Sequence, residues 1–482
     1  MTSQSIETLL DATRLAGLET TEGGRILAKV SCPDAKGTAY RSALVEIDDE
    51  QLLPLTRGAA SVGAVAAAED GTTFFTAKRV GEDGEEGEDA QLWALPVRGE
   101  ARELASRPGG FGGLSVAGRH LVAELEVHSQ ASDEAEHRDL STQRKDAKVT
   151  AALHAGFPTR YWDHDLGPTR PVLAIAALPD DLATSERTTA PAAGRPGSGA
   201  AAGTGGGPSD PSADGDAAST DADDAPTQVL HFRHLVMPAG RLESWSVDRE
   251  GTRALVGMVD SRDDLVGVPD LYLLDLVGDQ PPRRLRPATA EVEFGPGEFS
   301  PDGTRALIGR HHSWTETQSL AAGAEVLDLV TGESRPVWPE LDHWIDPIWL
   351  DDTTLVATTD DQGRGSVWIG GADEPAPHRL AGGPEQELAF SSASVAGGAV
   401  IALASGIAIA PHPVRIDPAT GAVRALPNPA DAVALPGTLT EVTATAADGT
   451  ALRAWLRLPE GEGPHPLVVF AHGGPWGSWN AW

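Results

Sequence analysis

The sequence is poor in cysteine, in basic side chains and in long apolar runs. Its single cysteine, Cys32, excludes a disulfide framework and a cysteine metal cluster, and it fits a reducing compartment. With 37 Lys and Arg against 71 Asp and Glu, the formal net charge of −34 argues against a nucleic-acid partner, which needs a basic surface. No run of about 18 apolar residues occurs, and the first residues lack the pattern of a signal peptide. We expect a soluble, cytoplasmic protein without a membrane partner.

Turn-forming residues, in contrast, are abundant. The 482 residues include 54 Gly and 36 Pro, which favours many short strands over long helices. Two of the turns open near-identical segments, Gly251–Gly257 (GTRALVG) and Gly303–Gly309 (GTRALIG). These segments lie about 52 residues apart, the period expected of a four-stranded propeller blade. The sequence therefore predicts an all-β fold built from a repeated unit.

Two signatures alternate along the chain, each in seven copies. The first is a turn followed by an apolar strand, with its turn residue at Gly24, Gly71, Gly118, Gly251, Gly303, Asp352 and Gly398. The second is a short apolar strand, at Leu44–Ile47, Leu92–Leu95, Val172–Ile175, Leu271–Leu274, Val326–Leu329, Val367–Ile369 and Val414–Ile416. Unrelated hairpins of a β-sandwich would give no reason for this alternation. It predicts a seven-bladed β-propeller over residues 21–436.

Three segments depart from the repeat. Residues 1–20 form a lead-in, in which Ser5–Leu15 has apolar residues at helical spacing. The third repeat is interrupted by Ser132–Lys148, which is highly charged and reads as a helix or an exposed loop, and by residues 187–226. The latter consist of Ala, Gly, Pro, Ser and Asp almost without apolar bulk, and we expect them to form a disordered loop.

The pattern changes after the proline-rich stretch Pro427–Pro436, which marks a domain boundary. Thr440–Thr445 and Leu452–Leu458 alternate around a turn and predict a hairpin. Pro466–Ala471 is continuously apolar, as in a strand buried on both faces of a parallel sheet. We therefore expect residues 437–482 to begin an α/β-hydrolase domain.

This expected strand leads into His472, Gly473, Gly474 and Pro475. The carboxyl end of a strand is where α/β sheets place their sites. Two glycines let backbone amides approach a substrate oxygen closely, and such amides form part of an oxyanion hole. The segment therefore predicts an oxyanion loop rather than a plain turn.

The whole chain resembles the prolyl oligopeptidase family of serine peptidases, particularly its acylaminoacyl-peptidase and dipeptidyl-aminopeptidase branch. The resemblance rests on Phe299–Gly303, Arg160–Asp165 and His472–Pro475. It implies a propeller that precedes an α/β-hydrolase domain and restricts entry to a Ser-Asp-His triad, so that only short peptides are cleaved. A peptide substrate is the partner that follows.

One part of the family pattern is missing. The sequence contains no Gly-x-Ser-x-Gly pentapeptide, and its nearest approach, Gly113–Ala117, lies in a blade and lacks the second glycine. The rest of such a domain would need about another 200 residues. We expect the chain to be a fragment without the catalytic Ser, Asp and His, and inactive alone. The alternatives are a broader acyl or ester hydrolase of the same architecture, and a propeller that serves only as a binding module.

Other polar clusters do not predict a site. Asp163–Asp165, His231 with His234, and His311–His312 lack the spacing of a metal site, so no metal is predicted. No phosphate-loop motif occurs, and no cofactor is predicted. Glu124 and Glu126 share one face of a strand, which favours a solvated or salt-bridged face over a clamp for a peptide amino terminus. Cleavage preference and oligomeric state stay open.

Overall fold

A computed structural model describes most of the chain: residues 7–8, 10–34, 36–56, 61–78, 87, 89–152, 160–161, 164–165, 167–179, 182, 230–259, 268–383, 386–406, 409–431, 437–471, 473 and 479. The insertion at residues 187–226, predicted to be disordered, lies outside this set. No helix in the described part is long and apolar enough to cross a membrane.

Within the described residues, seven antiparallel sheets of four strands each form the blades of a β-propeller. Blade 1 contains β1 (Arg14–Thr20), β2 (Ile26–Pro33), β3 (Tyr40–Ile47) and β4 (Leu52–Pro54), and blade 2 contains β5 (Val62–Ala67), β6 (Thr73–Ala77), β7 (Gln91–Leu95) and β8 (Arg102–Ala105). Blade 3 contains β9 (Leu114–Ala117) and β10 (His120–His128), then an insertion of α1 (Glu134–Asp146), β11 (Arg160–Tyr161) and β12 (His164–Asp165), then β13 (Thr169–Ala177) and β14 (Arg233–His234).

The other four blades are uninterrupted. Blade 4 contains β15 (Arg241–Val247), β16 (Arg253–Val259), β17 (Pro269–Asp275) and β18 (Arg283–Arg286), and blade 5 contains β19 (Val292–Phe299), β20 (Arg305–His312), β21 (Ala321–Asp328) and β22 (Ser334–Pro336). Blade 6 contains β23 (Asp346–Trp349), β24 (Thr354–Asp360), β25 (Gly365–Gly371) and β26 (His378–Ala381), and blade 7 contains β27 (Ala389–Ala396), β28 (Ala399–Gly406), β29 (Ile409–Ile416) and β30 (Val423–Ala425).

Both repeat signatures have a definite place in these blades. The seven turn residues lie between the first and second strands, and the seven apolar segments are third strands. The second strands, such as β6 and β16, are almost wholly buried because the faces of neighbouring blades pack on them. The continuous apolar runs of these strands follow from this two-sided burial. The predicted seven-bladed propeller is confirmed.

Neighbouring blades are also joined by arginines of the repeat. An arginine at the beginning of the second strand donates a hydrogen bond to the carbonyl of the turn residue in the next blade: Arg25 to Gly71 (2.7 Å), Arg253 to Gly303 (2.9 Å) and Arg305 to Asp352. The turn residue itself is often glycine for a steric reason. A Cβ at Gly251, whose φ is +69°, would lie 2.4 Å from the carbonyl oxygen of Ala117 in blade 3.

Blade 1 closes the ring against blade 7. The backbone N–H of Thr13 donates to the Asp431 carboxylate at 2.7 Å, and the N–H of Asp431 donates to the carbonyl of Thr13 at 3.0 Å. Because β1 begins at Arg14, residues 14–20 belong to the propeller, and the predicted lead-in 1–20 and helix Ser5–Leu15 both extend too far. The repeat signature begins at the turn of Gly24, so it does not include the strand that precedes this turn.

A hairpin follows the last blade, formed by β31 (Thr438–Thr445) and β32 (Ala451–Leu458), as predicted. The expected strand Pro466–Ala471 is not present, and this correction has a simple cause. No described strand lies beside these residues to pair with their backbone, and a strand without a partner is not stable. The side chains of Leu467 to Phe470 are each between 69% and 77% exposed.

Candidate functional site

The predicted oxyanion loop is described at one position only. Gly473 is exposed, and a Cβ placed on it would meet no atom within 4 Å. His472, Gly474 and Pro475 lie outside the described residues. The assignment of backbone donors to this loop therefore stays a prediction.

Hairpin β31–β32, which precedes the loop in the chain, is attached to blade 6. The turn between β24 and β25, residues 361–364, contacts hairpin β31–β32 through Arg364, whose guanidinium donates to Glu441 at 3.0 Å. The same guanidinium lies over the ring of Trp455, 4.9 Å from its centroid. Arg453 adds hydrogen-bonded contacts to Gln362 and Glu441. We call this set of contacts the blade 6 junction.

Two cavities adjoin the blade 6 junction and share Trp344 and Asp360 as walls. The smaller, of about 360 Å³, extends to Asp346 on β23 and Phe390 on β27. The larger, of about 670 Å³, extends to Gln362, the residue that Arg453 contacts. Cavities of this size hold small ligands or single side chains.

The first strands of neighbouring blades contact one another and so line the centre of the propeller, where the blades surround a channel. Several of these strands carry carboxylates. Burial among the channel walls raises the pKa of Glu19 and of Glu298 to about 7, although both side chains keep contact with water. Burial also raises the pKa of Glu243, and Glu293 beside it adds to the effect. The channel is therefore acidic and crowded.

An ion pair crosses one mouth of this channel. Glu22 and Arg249 lie in the turns between first and second strands of blades 1 and 4, which are not neighbours, yet their side chains meet at 2.5 Å. The blade 6 junction lies at the other end, with the turns between second and third strands. The two ends of the propeller are therefore chemically different.

The other candidates from the sequence have protein partners. Glu124 accepts a hydrogen bond from the indole of Trp245 at 2.9 Å, and Glu126 lies 3.9 Å from Arg241. His234 pairs with Glu134, His311 pairs with Glu293, and His312 bonds the carbonyl of Ser313. Asp163 and the side chains of His164 and Asp165 lie outside the described residues. In the described part, no three His, Cys, Asp or Glu side chains are grouped to hold a metal ion.

No family model matches the sequence, and no curated protein matches it. Similar solved structures include the acylaminoacyl peptidase of Pyrococcus horikoshii, with a TM-score of 0.62 and 12% identity over 98% of this chain and 62% of that one. An acylaminoacyl peptidase in complex with Z-Gly-Gly-Phe-chloromethyl ketone has a TM-score of 0.60 and 11% identity, over 94% of this chain and 59% of that one. Puromycin hydrolase has a TM-score of 0.54 and 15% identity, over 94% and 60%.

The chain shares its propeller fold with peptidases of the prolyl oligopeptidase family. It spans about three-fifths of the length of these structures. Because the identities are between 11% and 15%, the likeness establishes the fold alone and assigns no chemical activity to this chain.

Sequence reasoning missed the cavities beside the blade 6 junction. Their walls come from blades 5, 6 and 7, which no local pattern connects. One signal was present: Trp344 lies in a segment between strands, and the structure leaves it 45% exposed. Tryptophan outside an apolar strand pattern is the feature that points to a recognition surface.

Proposed function

We propose that this chain is the propeller-bearing part of a cytoplasmic serine-type peptidase of the prolyl oligopeptidase family that acts on short peptides. The observation that carries the proposal is the seven-bladed propeller followed by hairpin β31–β32. The match with the Pyrococcus horikoshii acylaminoacyl peptidase covers 98% of this chain. In this proposal residues 21–436, extended to Arg14, are the propeller domain, and residues 437–482 begin the α/β-hydrolase domain.

The propeller acts in this proposal as a gate. An ion pair between Glu22 and Arg249 crosses one mouth of the channel, and the hairpin stands at the opposite end beside blade 6. A folded protein cannot pass a channel enclosed by blades, whereas a short extended peptide presents a narrow cross-section. Selection by size follows from this geometry.

The acyl-transfer chemistry is assigned as follows. His472–Pro475 supplies an oxyanion loop, in which the backbone amides of Gly473 and Gly474 donate to the tetrahedral intermediate. Because no Gly-x-Ser-x-Gly pentapeptide occurs in residues 1–482, we assign the nucleophile, its base and the orienting acid to other residues. Residues 1–482 alone are then inactive.

The test compares two polypeptides under a fluorophosphonate probe, which labels activated serines. One is the native polypeptide that contains these residues, and the other is residues 1–482 alone. We expect label on a single serine of the native polypeptide, hydrolysis of short peptides by it, and neither property in residues 1–482. Faster turnover of nitrophenyl esters than of any peptide would favour the broader ester hydrolase. A native polypeptide that is neither labelled nor active would contradict the proposal and favour a binding module.

A further inference from the structure

The smaller of the two cavities has an aromatic and hydroxyl lining. Phe390 is 1% exposed and Thr359 is 7% exposed, so both form parts of the cavity wall that are fixed by the packing of blades 6 and 7. Trp344 stands at the rim with 45% of its surface exposed, and it separates this cavity from the larger one. An indole in this position offers a flat face to whatever enters.

The charge of the cavities is one-sided. Asp346 and Asp360 line the smaller cavity, and none of the described residues that line either cavity is Lys or Arg. The nearby basic side chains already have partners, since Arg379 and His343 pair with Asp361, and His311 pairs with Glu293. Partial burial raises the pKa of Asp346, although its side chain is still exposed to solvent, and His311 opposes this effect only in part. A carboxylate in such a place is stabilised by an entering cation.

We propose that this cavity binds the cationic side chain of a peptide, with the Asp346 carboxylate as its ionic partner and the Trp344 indole as its stacking surface. The chemistry favours arginine over lysine, because a planar guanidinium stacks on an aromatic face and binds a carboxylate in a fork geometry. The identification of the ligand as a peptide rests on the proposed function. The cation-binding property itself does not.

The position of the cavity gives this property a role. Trp344 and Asp360 also line the larger cavity, whose rim includes Gln362 of the blade 6 junction. A side chain held in the smaller cavity would therefore belong to a peptide that runs beside hairpin β31–β32. The propeller would then select for charge as well as for length.

The test is calorimetric titration of residues 1–482, which needs no catalysis. The ligands are N-acetyl-arginine amide and its neutral counterpart N-acetyl-citrulline amide, at physiological ionic strength so that the overall charge of the protein is screened. We expect saturable binding of the arginine compound, and binding of the citrulline compound that is weaker by roughly tenfold. Equal binding of the two compounds, or none of the arginine compound, would overturn the proposal.

Variants locate the binding site. Trp344→Leu and Asp346→Asn should each weaken binding of the arginine compound by roughly five- to tenfold. Trp314→Leu and Glu316→Gln, exposed residues of the loop between β20 and β21, serve as matched controls and should leave it unchanged. Melting curves establish that all four variants fold. Unchanged affinity for the arginine compound in both cavity variants would contradict the assignment of the binding site. This outcome is independent of whether the native polypeptide cleaves neutral peptides.

Discussion

Single residues of the repeat fasten one blade to the next. Arg253 illustrates this, because its guanidinium donates to Asp248 at 2.8 Å within blade 4 and to the carbonyl of Gly303 in blade 5 at 2.9 Å. Asp248 is 2% exposed, and it also accepts hydrogen bonds from the backbone of Thr252. One side chain therefore satisfies a buried carboxylate and joins two sheets.

We predict that Arg253→Ala lowers the free energy of unfolding by about 1.5–3 kcal/mol, the usual value for hydrogen bonds to charged groups. Arg253→Lys keeps the charge without the fork and should fall between wild type and alanine. Urea denaturation measures the effect, with Arg98→Ala at an exposed position as control. Similar midpoints for Arg253→Ala and Arg98→Ala would show that the bridge between blades does not stabilise the propeller.

Among the elements, α1 depends most on titratable groups. His137 is 2% exposed; its Nδ1 accepts the backbone N–H of His128 at 3.2 Å, and its Nε2 bonds the carbonyl of Pro108 at 3.0 Å. Burial lowers the pKa of His137 and of His128. Burial opposes ionisation of Glu134, but hydrogen bonds from His234 and Arg107 outweigh it and lower the Glu134 pKa to about 2.

These shifts predict that α1 leaves the blade in mild acid. The two histidines are neutral in the folded state, so the unfolded state binds more protons once the pH falls below about 6.5, and stability is lost from that point downward. Glu134 adds a second loss between about pH 4.5 and 2. The protection factors of residues 134–146, which are corrected for the pH dependence of intrinsic amide exchange, should fall below pH 6.5 and be constant above 7, while those of blade 5 should not fall in this range. His137→Gln should reduce the change that begins near pH 6.5, whereas His231→Gln, at an exposed position, should leave that change as it is in the wild type. A profile that is flat down to pH 5 would contradict the prediction.

Hairpin β31–β32 depends on the blade 6 junction. Arg364→Ala removes the bond to Glu441 and the contact with Trp455, together worth about 1–2 kcal/mol. We expect backbone amides of β31 and β32 to exchange roughly five- to thirtyfold faster, with no change in blade 6. Arg284→Ala, an exposed arginine of blade 4, is the control. Equal exchange rates of the hairpin amides in Arg364→Ala and Arg284→Ala would mean that other contacts hold the hairpin on the propeller.

At the scale of the whole molecule, the architecture could be predicted and the chemistry of its surfaces could not. Seven turns and seven third strands are local patterns, and they determine the blade count. The sequence did not predict the acidic channel. Which residues of a first strand face the propeller axis depends on the register of that strand in the closed ring, and Glu19 and Glu298 are examples. The cavity of Trp344, Asp360 and Phe390 joins residues that are distant in sequence.

The domain boundary gives a prediction at this scale. Most residues of β31 and β32 are exposed, and so are Leu467 to Phe470. Deleting residues from Thr438 onward should therefore leave the melting transition of the propeller nearly unchanged, and it should reduce the binding of dyes that report exposed apolar surface. If the deletion unfolds the propeller, these residues take part in its closure and the boundary is wrong.

The central proposal is that this propeller admits short peptides to a peptidase site. The most direct measurement is kcat/KM of the native polypeptide for peptides of one cleavage sequence and increasing length, up to an unfolded protein. We expect efficient cleavage of the short members and a steep fall of kcat/KM with length. Opening the channel mouth with Glu22→Gln and Arg249→Gln together should shift this fall to longer peptides. Cleavage of the unfolded protein at the same kcat/KM as the short peptides would contradict the account.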